Sequence, residues 1–291
     1  MIIVTGASGH LGRATVRALA ARMEPARIVA TCREPEQAAD LQALGVTVRH
    51  GDFDNPGSLS AAFEGAEQVL IVSSNAAAFG GDPLAQHRAA IHAAKEAGAR
   101  RVLYTSHMGA GAASAFPPMR DHAATESMLQ SSGLAWCALR NGVYASSGVD
   151  FLGDAPRTGR LTAPEDGPVS WTAHADLAEA AAAVLADEGR FEGPTPPLVG
   201  AEALDLGGLC GIASDLLGRE VRRETVAETV LREGLRASGV SEAAVSMVLG
   251  FYIAAGNGAF ASNDTTLEEL IGRRPVPMRD VMARALLRRA G

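Results

Sequence analysis

Three glycines at positions 6, 9 and 12, in the string TGASGHLG, follow the apolar run IIVT at residues 2–5 and lead into the amphipathic string LGRATVRALAA, which holds the third of them. Few arrangements restrict a fold so strongly. The first glycine permits a sharp turn from strand to helix, the second lets backbone approach a ligand, and the third lets helix and strand pack closely. The helix start that follows presents free N–H groups and the positive end of the helix dipole, so an anion is the natural occupant of the turn. Strand, glycine loop and helix in this order are the context in which such glycines hold the pyrophosphate of a dinucleotide. Gly6, Ser8, Gly9, His10, Leu11 and Gly12 are the expected contacts; a bare structural turn is the alternative.

The first half of the chain keeps this rhythm. Short β-branched or aliphatic runs recur at residues 27–31, 46–50, 68–72, 101–105 and 135–139, and alanine-rich amphipathic stretches fill the gaps. Leu84, His87, Ile91 and Ala94 recur at helical spacing before Gly98, predicting a covering helix over 84–97. Six strands alternating with helices predict an α/β protein, with a Rossmann-like, doubly wound parallel sheet over residues 1–145. Past residue 145 the clusters GDAPRTG, TAPEDGP and FEGPTPP break the pattern. Helices are expected in HADLAEAAAAVLADEG and near 207–217, 226–238, 241–255 and 279–289. Residues 146–291 thus read as a smaller, mostly helical C-terminal lobe, some of whose segments return to the first domain.

Composition narrows the function classes. Of 291 residues, 47% are hydrophobic and 20% charged, as in a globular protein. The net charge is −7 and the Lys and Arg residues are scattered, so no nucleic acid is expected as a partner. No apolar run reaches the length of about 18 residues that a membrane span requires, and no leader is read ahead of Ile2, so the expected location is the cytoplasm. Cys32, Cys137 and Cys210 form no CxxC pair, and neither a disulfide nor a metal site is expected. Assembly leaves no mark beyond the general prevalence of homodimers.

The choice of dinucleotide turns on the end of the second strand, about 20 residues past the glycine loop, where an acid usually receives the ribose 2′-hydroxyl of NAD. Here the string is ATCREP, with Arg33 after Cys32. A guanidinium can clamp a 2′-phosphate that a carboxylate would repel, which favours NADPH; a solvent-facing Arg33 beside Glu34 and Glu36 is the alternative. After the third strand, in HGDFDNPGSL, Asp52 stands where a carboxylate could accept from the adenine amino group, with Phe53 beside the base. Asp52 fits a simple turn residue as well.

Taken together, TGASGHLG, CREPEQAADL, GVTVRHGDFDNPGSL, VLIVSS, QHRAAIHAAKEAGARRVLYTS, HAATESML and LRNGVY resemble, in order and spacing, the NmrA-like branch of the atypical short-chain dehydrogenase/reductases. The resemblance continues more weakly through SWTAHADLAEAAAAVL and TLEELIGRRPVPMRDVM. It implies a Rossmann-like cofactor domain, use of NADPH, and a second lobe closing over a substrate cleft. By position it sets Ser73, Ser74, Asn75 and Thr105 along the nicotinamide ribose, Ser106 toward the substrate carbonyl, and Asn141 and Tyr144 in a nicotinamide-facing loop. A strand-end turn for Ser106 and core packing for Tyr144 are the alternatives.

Typical family members carry Tyr-xxx-Lys-xxx-Glu on one helix, the lysine lowering the tyrosine pKa while the phenol protonates the carbonyl oxygen. In PMRDHAATE, residues 118–126, alignment on Glu126 puts His122 at the lysine and Pro118 at the tyrosine. His122 and Glu126 share a helix face, so Glu126 is expected to orient the imidazole, unless the two form only a surface pair. With an ordinary pKa near ~6.5, His122 is expected to face the cofactor, and it or ordered water to supply whatever proton is needed. Trp171, His174, Phe251 and Tyr252 are expected to wall the pocket, with core packing, or capping for His174, as alternatives. Without the phenol, the expected acceptor is a small molecule that needs hydride more than a proton: a quinone or a similarly activated conjugated compound, cationic dyes included. A non-catalytic NADP(H)-sensing regulator and a biosynthetic reductase of C=O, C=C or C=N bonds are the competing readings.

Overall fold

The apolar runs at residues 2–4, 28–32, 68–71 and 101–106 form strands because each is buried on both faces of one sheet, a setting that favours continuous aliphatic sequence over alternation; the run at 47–50 lies at the sheet edge and is partly exposed. The computed structural model describes residues 1–288. β1 (Ile2–Val4) leads through the glycine loop into α1 (His10–Ala20). Then come β2 (Ile28–Cys32), α2 (Ala39–Gln42), β3 (Thr47–His50), α3 (Pro56–Ala62), β4 (Gln68–Ile71), α4 (Pro83–Glu96), β5 (Arg101–His107), α5 (Pro117–Gln130) and β6 (Ala135–Asn141). The second half holds α6 (Ala145–Phe151), α7 (Ala155–Thr158), β7 (Arg160–Ala163), α8 (His174–Ala186), β8 (Gly193–Pro194), α9 (Leu206–Leu217) and β9 (Arg222–Thr225). It closes with α10 (Glu228–Ala237), α11 (Glu242–Gly256), α12 (Thr266–Ile271) and α13 (Met278–Arg288).

The main sheet runs β3-β2-β1-β4-β5-β6-β8, every neighbouring pair parallel. The order reverses between β1 and β4, opening the crevice at the carboxyl ends of the strands where such sheets bind ligands. One face is covered by α1 and α8, with Val16 and Leu19 meeting the alanine-rich surface of Leu177, Ala181 and Val184. The other face is covered by α3, α4 and α5 through Leu59, Ile91 and Leu129. A third core, around Val149, Leu206, Leu209, Phe251 and Met282, holds the second lobe together.

The expected architecture stands, with two corrections in the second half. β8 adds a seventh strand to the sheet, and β7 with β9 forms a separate two-stranded parallel sheet. β8 is a Gly-Pro pair and β9 reads RRET, so neither carries an apolar pattern that marks a strand. Helices form close to every expected place; position 289 of the last one lies outside the described residues. Among the described residues no helix is long and apolar enough to cross a membrane.

Candidate functional site

The glycine loop is built as its spacing requires. Gly6 has φ +61°, in the left-handed region, and the Gly9 N–H donates to the Gly6 carbonyl at 3.0 Å. A Cβ at Gly12 would lie 2.8 Å from the carbonyl carbon of Gly6, so only glycine lets α1 lie this close on the strand end. α1 starts at an N-cap glycine, Gly9, with no side-chain cap and no acid in its first turn. Its leading N–H groups are therefore unspent. Ser8 and His10 are exposed beside them, whereas the Leu11 side chain belongs to the core and only its backbone can meet a ligand. These features fit a dinucleotide pyrophosphate.

At the far side of the crevice Cys32 pairs with His50, so Arg33 and the Gly51–Asp52 segment leave the sheet side by side. Arg33 is exposed. Its carbonyl accepts from His50 Nδ1 at 2.9 Å, and the neighbouring Glu34 is engaged by Gln37. Asp52 does act as a turn residue, Oδ1 accepting the Asp54 N–H at 3.1 Å. Its backbone N–H donates to Ser58 Oγ at 2.9 Å. Phe53 is half-buried and leans on the core beneath α3.

The end of β4 is wired to its neighbours. The Ser73 N–H donates to Thr105 Oγ1 at 2.8 Å, and the Thr105 hydroxyl donates back to Ser73 Oγ at 3.2 Å. The Ser74 N–H donates to His87 Nε2 at 2.8 Å, which leaves the imidazole proton on Nδ1, facing Thr125 Oγ1 at 2.9 Å. Burial pushes His87 down to about 3, so it is a neutral strut between β4 and α5. Ser74 Oγ also donates to Gln86, while Asn75 stays exposed at the rim. Helical spacing marks His87 only as a core-facing position, and nothing in the sequence announces this contact.

A cavity of about 330 Å³ opens at the carboxyl ends of β4, β5 and β6. Ser73, Ser106, His122, Asn141 and Tyr144, expected from sequence to serve one site, all line it, and His107 joins them. Phe116, Val143, Phe151, Met247, Val248 and Phe251 supply its apolar walls. Asn141 is buried and its Oδ1 has no protein partner, an acceptor available to a ligand donor.

The helix carrying His122 works differently from the expectation. Pro118 lies in the first turn of α5, and His122 Nδ1 sits 2.7 Å from the Tyr104 hydroxyl. Glu126 does not orient the imidazole. Its carboxylate accepts from Ser106 Oγ at 2.6 Å and from Arg140 Nη2 at 2.7 Å and Nε at 3.1 Å, because its side chain drops onto β5 and β6. The Ser106 proton is thereby spent, leaving its oxygen as an acceptor. Nor does His122 keep an ordinary pKa: burial pushes it down to about 4, so the ring is neutral at pH 7. Burial raises the Tyr104 phenol far above its ordinary value and pushes Tyr144 up to about 12.

The other expected wall residues divide. His174 opens α8 and packs at a tilt of 35° against Tyr144, ring centroids 4.1 Å apart, and lies 6.0 Å from His10, joining the glycine loop to the Tyr144 loop. Phe251 reaches the cavity. Trp171 does not: it is buried in the second-lobe core, its Nε1–H donating to the Leu204 carbonyl at 2.9 Å. Tyr252 packs in the same core. Among the described residues no group of His, Cys, Asp and Glu is arranged to hold a metal ion.

Fold and site define a dinucleotide-binding protein whose ligand cavity sits at the strand ends beside its glycine loop. Residues 6–188 match the NAD(P)H-binding family, and the chain belongs to it. It is 33% identical over 276 residues to quinone oxidoreductase 2 of Escherichia coli (strain K12), covering 94% of each chain. The structure of the NADPH-dependent quinone oxidoreductase QOR2 from Escherichia coli, complexed with NADPH, superposes with a TM-score of 0.89 at 30% identity over 100% of both chains. Triphenylmethane reductase of Citrobacter sp. superposes with a TM-score of 0.85, also at 30% identity, over 98% of this chain and 99% of that one.

Proposed function

We propose that the protein is an NADPH-dependent reductase that passes hydride to a quinone or a similarly activated, conjugated small molecule. The observation that carries this reading is the cavity of about 330 Å³ at the strand ends, walled by aromatic and apolar side chains and lacking a strong acid on its polar side. The phenols of Tyr104 and Tyr144 are pushed up by burial, His122 is neutral, and the Ser106 proton belongs to Glu126. Such a site suits an acceptor that delocalises the charge hydride brings.

On this reading the N–H groups of the glycine loop and α1 hold the pyrophosphate, Arg33 the 2′-phosphate, and Asp52 and Phe53 the adenine. Ser73, Ser74, Asn75 and Thr105 line the nicotinamide ribose, and the unpaired Oδ1 of Asn141 receives an amide donor. The bound dihydronicotinamide supplies hydride; the chain contributes alignment, exclusion of water and hydrogen bonds at the acceptor, from His122 above all. Residues 1–145 serve the dinucleotide, and residues 146–291 mainly shape the acceptor site through Phe151, Met247, Val248 and Phe251. The resemblance to quinone oxidoreductase 2 and to an NADPH-bound structure supports both cofactor and acceptor class.

The test is NADPH oxidation followed against quinones, cationic dyes, simple ketones and imines, with NADH in parallel. Turnover confined to quinones and kindred conjugated acceptors, with NADPH preferred, is the expected result. Tight NADPH binding without turnover of any acceptor would replace the reductase with a sensor.

A further inference from the structure

His107 ends β5 beside Asn141 of β6, in the string TSH, and its ring faces the cavity between Phe260 and His122. Its Nδ1 accepts the Gly109 N–H at 3.2 Å, so the ring proton resides on Nε2. His122 arrives at the same tautomer by another route. The Tyr104 hydroxyl lies 2.7 Å from His122 Nδ1; with the phenol as donor, the His122 proton is also on Nε2. Burial holds both rings neutral, His122 at about 4 and His107 well below its ordinary value. Among the described residues neither Nε2 has a protein partner, and neither is among the buried polar atoms sealed off without one. Two N–H donors on rings 6.0 Å apart therefore open into one cavity.

Among the described residues no carboxylate lines that cavity; Glu126, which holds the lining residue Ser106, is paired with Arg140. A cationic acceptor finds no counter-charge there, whereas an oxygen that gains negative charge finds two donors. The geometry points to His107 and His122 as a paired oxyanion site, which makes His107 a second catalytic residue and directs the enzyme to acceptors that end in oxygen. This deepens the reading of the cavity as a reductase site and rests on it. A quinone that takes up hydride gains two electrons and one hydrogen, the nicotinamide being left as the oxidised pyridinium. The reduced acceptor then carries one negative charge on oxygen until a proton from water completes the hydroquinone. Both imidazoles keep their protons throughout, because each acts as a donor and not as an acid. Donors placed this way stabilise the developing charge without reorganising at the moment of reaction.

A non-reacting probe separates this inference from the reductase reading. With NADP⁺ present, 4-nitrophenol bound in the cavity should ionise about tenfold more readily than in water, read from its phenolate absorbance. His107→Phe, which keeps a ring against Phe260, should abolish most of that shift and lower kcat with a quinone by about 10- to 100-fold, leaving NADPH affinity and Tm unchanged. His107→Gln, which keeps an N–H donor, should restore part of both. A wild-type protein that turns over quinones yet leaves the ionisation of the bound phenol unshifted overturns the donor pair and spares the reductase. A shifted phenol without turnover of any acceptor does the reverse. If His107→Phe changes neither readout while His122→Leu changes both, His122 acts alone and the pairing is wrong; should His107→Phe fail to fold, the same comparison is made with His107→Gln against His122→Gln.

Discussion

Two arginines show how charge is used at the scale of single residues. Arg140 is committed to Glu126 through two hydrogen bonds, which removes both charges from the acceptor cavity. Arg33 is exposed and has no such partner among the described residues, so its charge is available to a ligand. Arg33→Ala should weaken NADPH binding by about tenfold or more, the worth of one charge-assisted contact, and leave NADH binding nearly unchanged in a fluorescence titration. Equal losses for both dinucleotides would contradict a 2′-phosphate contact. Ser73, Ser106, His122, Asn141 and Tyr144, which the structure brings to one cavity, were singled out in the sequence, but their hydrogen-bond partners were not legible there. Spacing along α5 suggested that Glu126 serves His122, yet the sheet beneath decides otherwise: Glu126 falls on Ser106 and Arg140, His122 on Tyr104. His107 escaped notice because a histidine after two small polar residues reads as an ordinary strand end.

Among the elements, the junction of β1 and α1 is the least tolerant. A methyl group at Gly12 would lie 2.8 Å from one backbone carbon of the loop and 3.0 Å from the Thr5 carbonyl oxygen, with no side chain there to move aside. Gly12→Ala should therefore cost about 1–3 kcal/mol in urea denaturation and sharply weaken dinucleotide binding, since the strain displaces the helix start. Unchanged stability together with unchanged binding would contradict the close packing described. Central strands and long helices were readable because burial on both faces, or on one stripe, writes itself as a period. β7, β8 and β9 have no such period, being short and partly polar. The cavity walls from α6 and α11 were hard to foresee for a related reason: Phe151, Met247 and Val248 occupy apolar helix positions that look the same whether they face a core or a ligand. Trp171 illustrates the opposite error, a large aromatic near the cleft that is core.

The molecule as a whole stores a set of neutral histidines. His87 is pushed down to about 3, His122 and His174 to about 4, and His107 well below its ordinary value, burial being the chief cause in each case. In the unfolded chain the same groups titrate near ~6.5, so below that pH the unfolded state binds more protons. Their contribution is fully present above about pH 6.5 and is lost as pH falls toward the folded values. The urea midpoint should accordingly decline between pH 6.5 and 5, above the range where carboxylates take over, with each buried histidine adding a slope approaching about 1.4 kcal/mol per pH unit. A midpoint that stays flat across that window would show the rings to be solvated. These rings connect fold to chemistry, because the burial that costs stability in acid keeps the cavity's donors uncharged at neutral pH.

Direct reduction of a quinone by NADPH in this cavity is what we propose. It is tested most directly by mixing the protein with NADPH and a quinone without oxygen or added flavin, following both by absorbance, and repeating the reaction with NADPH deuterated at the transferring position. One hydroquinone should form per NADPH consumed, with a rate that falls several-fold on deuteration when transfer limits turnover. NADPH that binds but is not consumed in the presence of any quinone would contradict it.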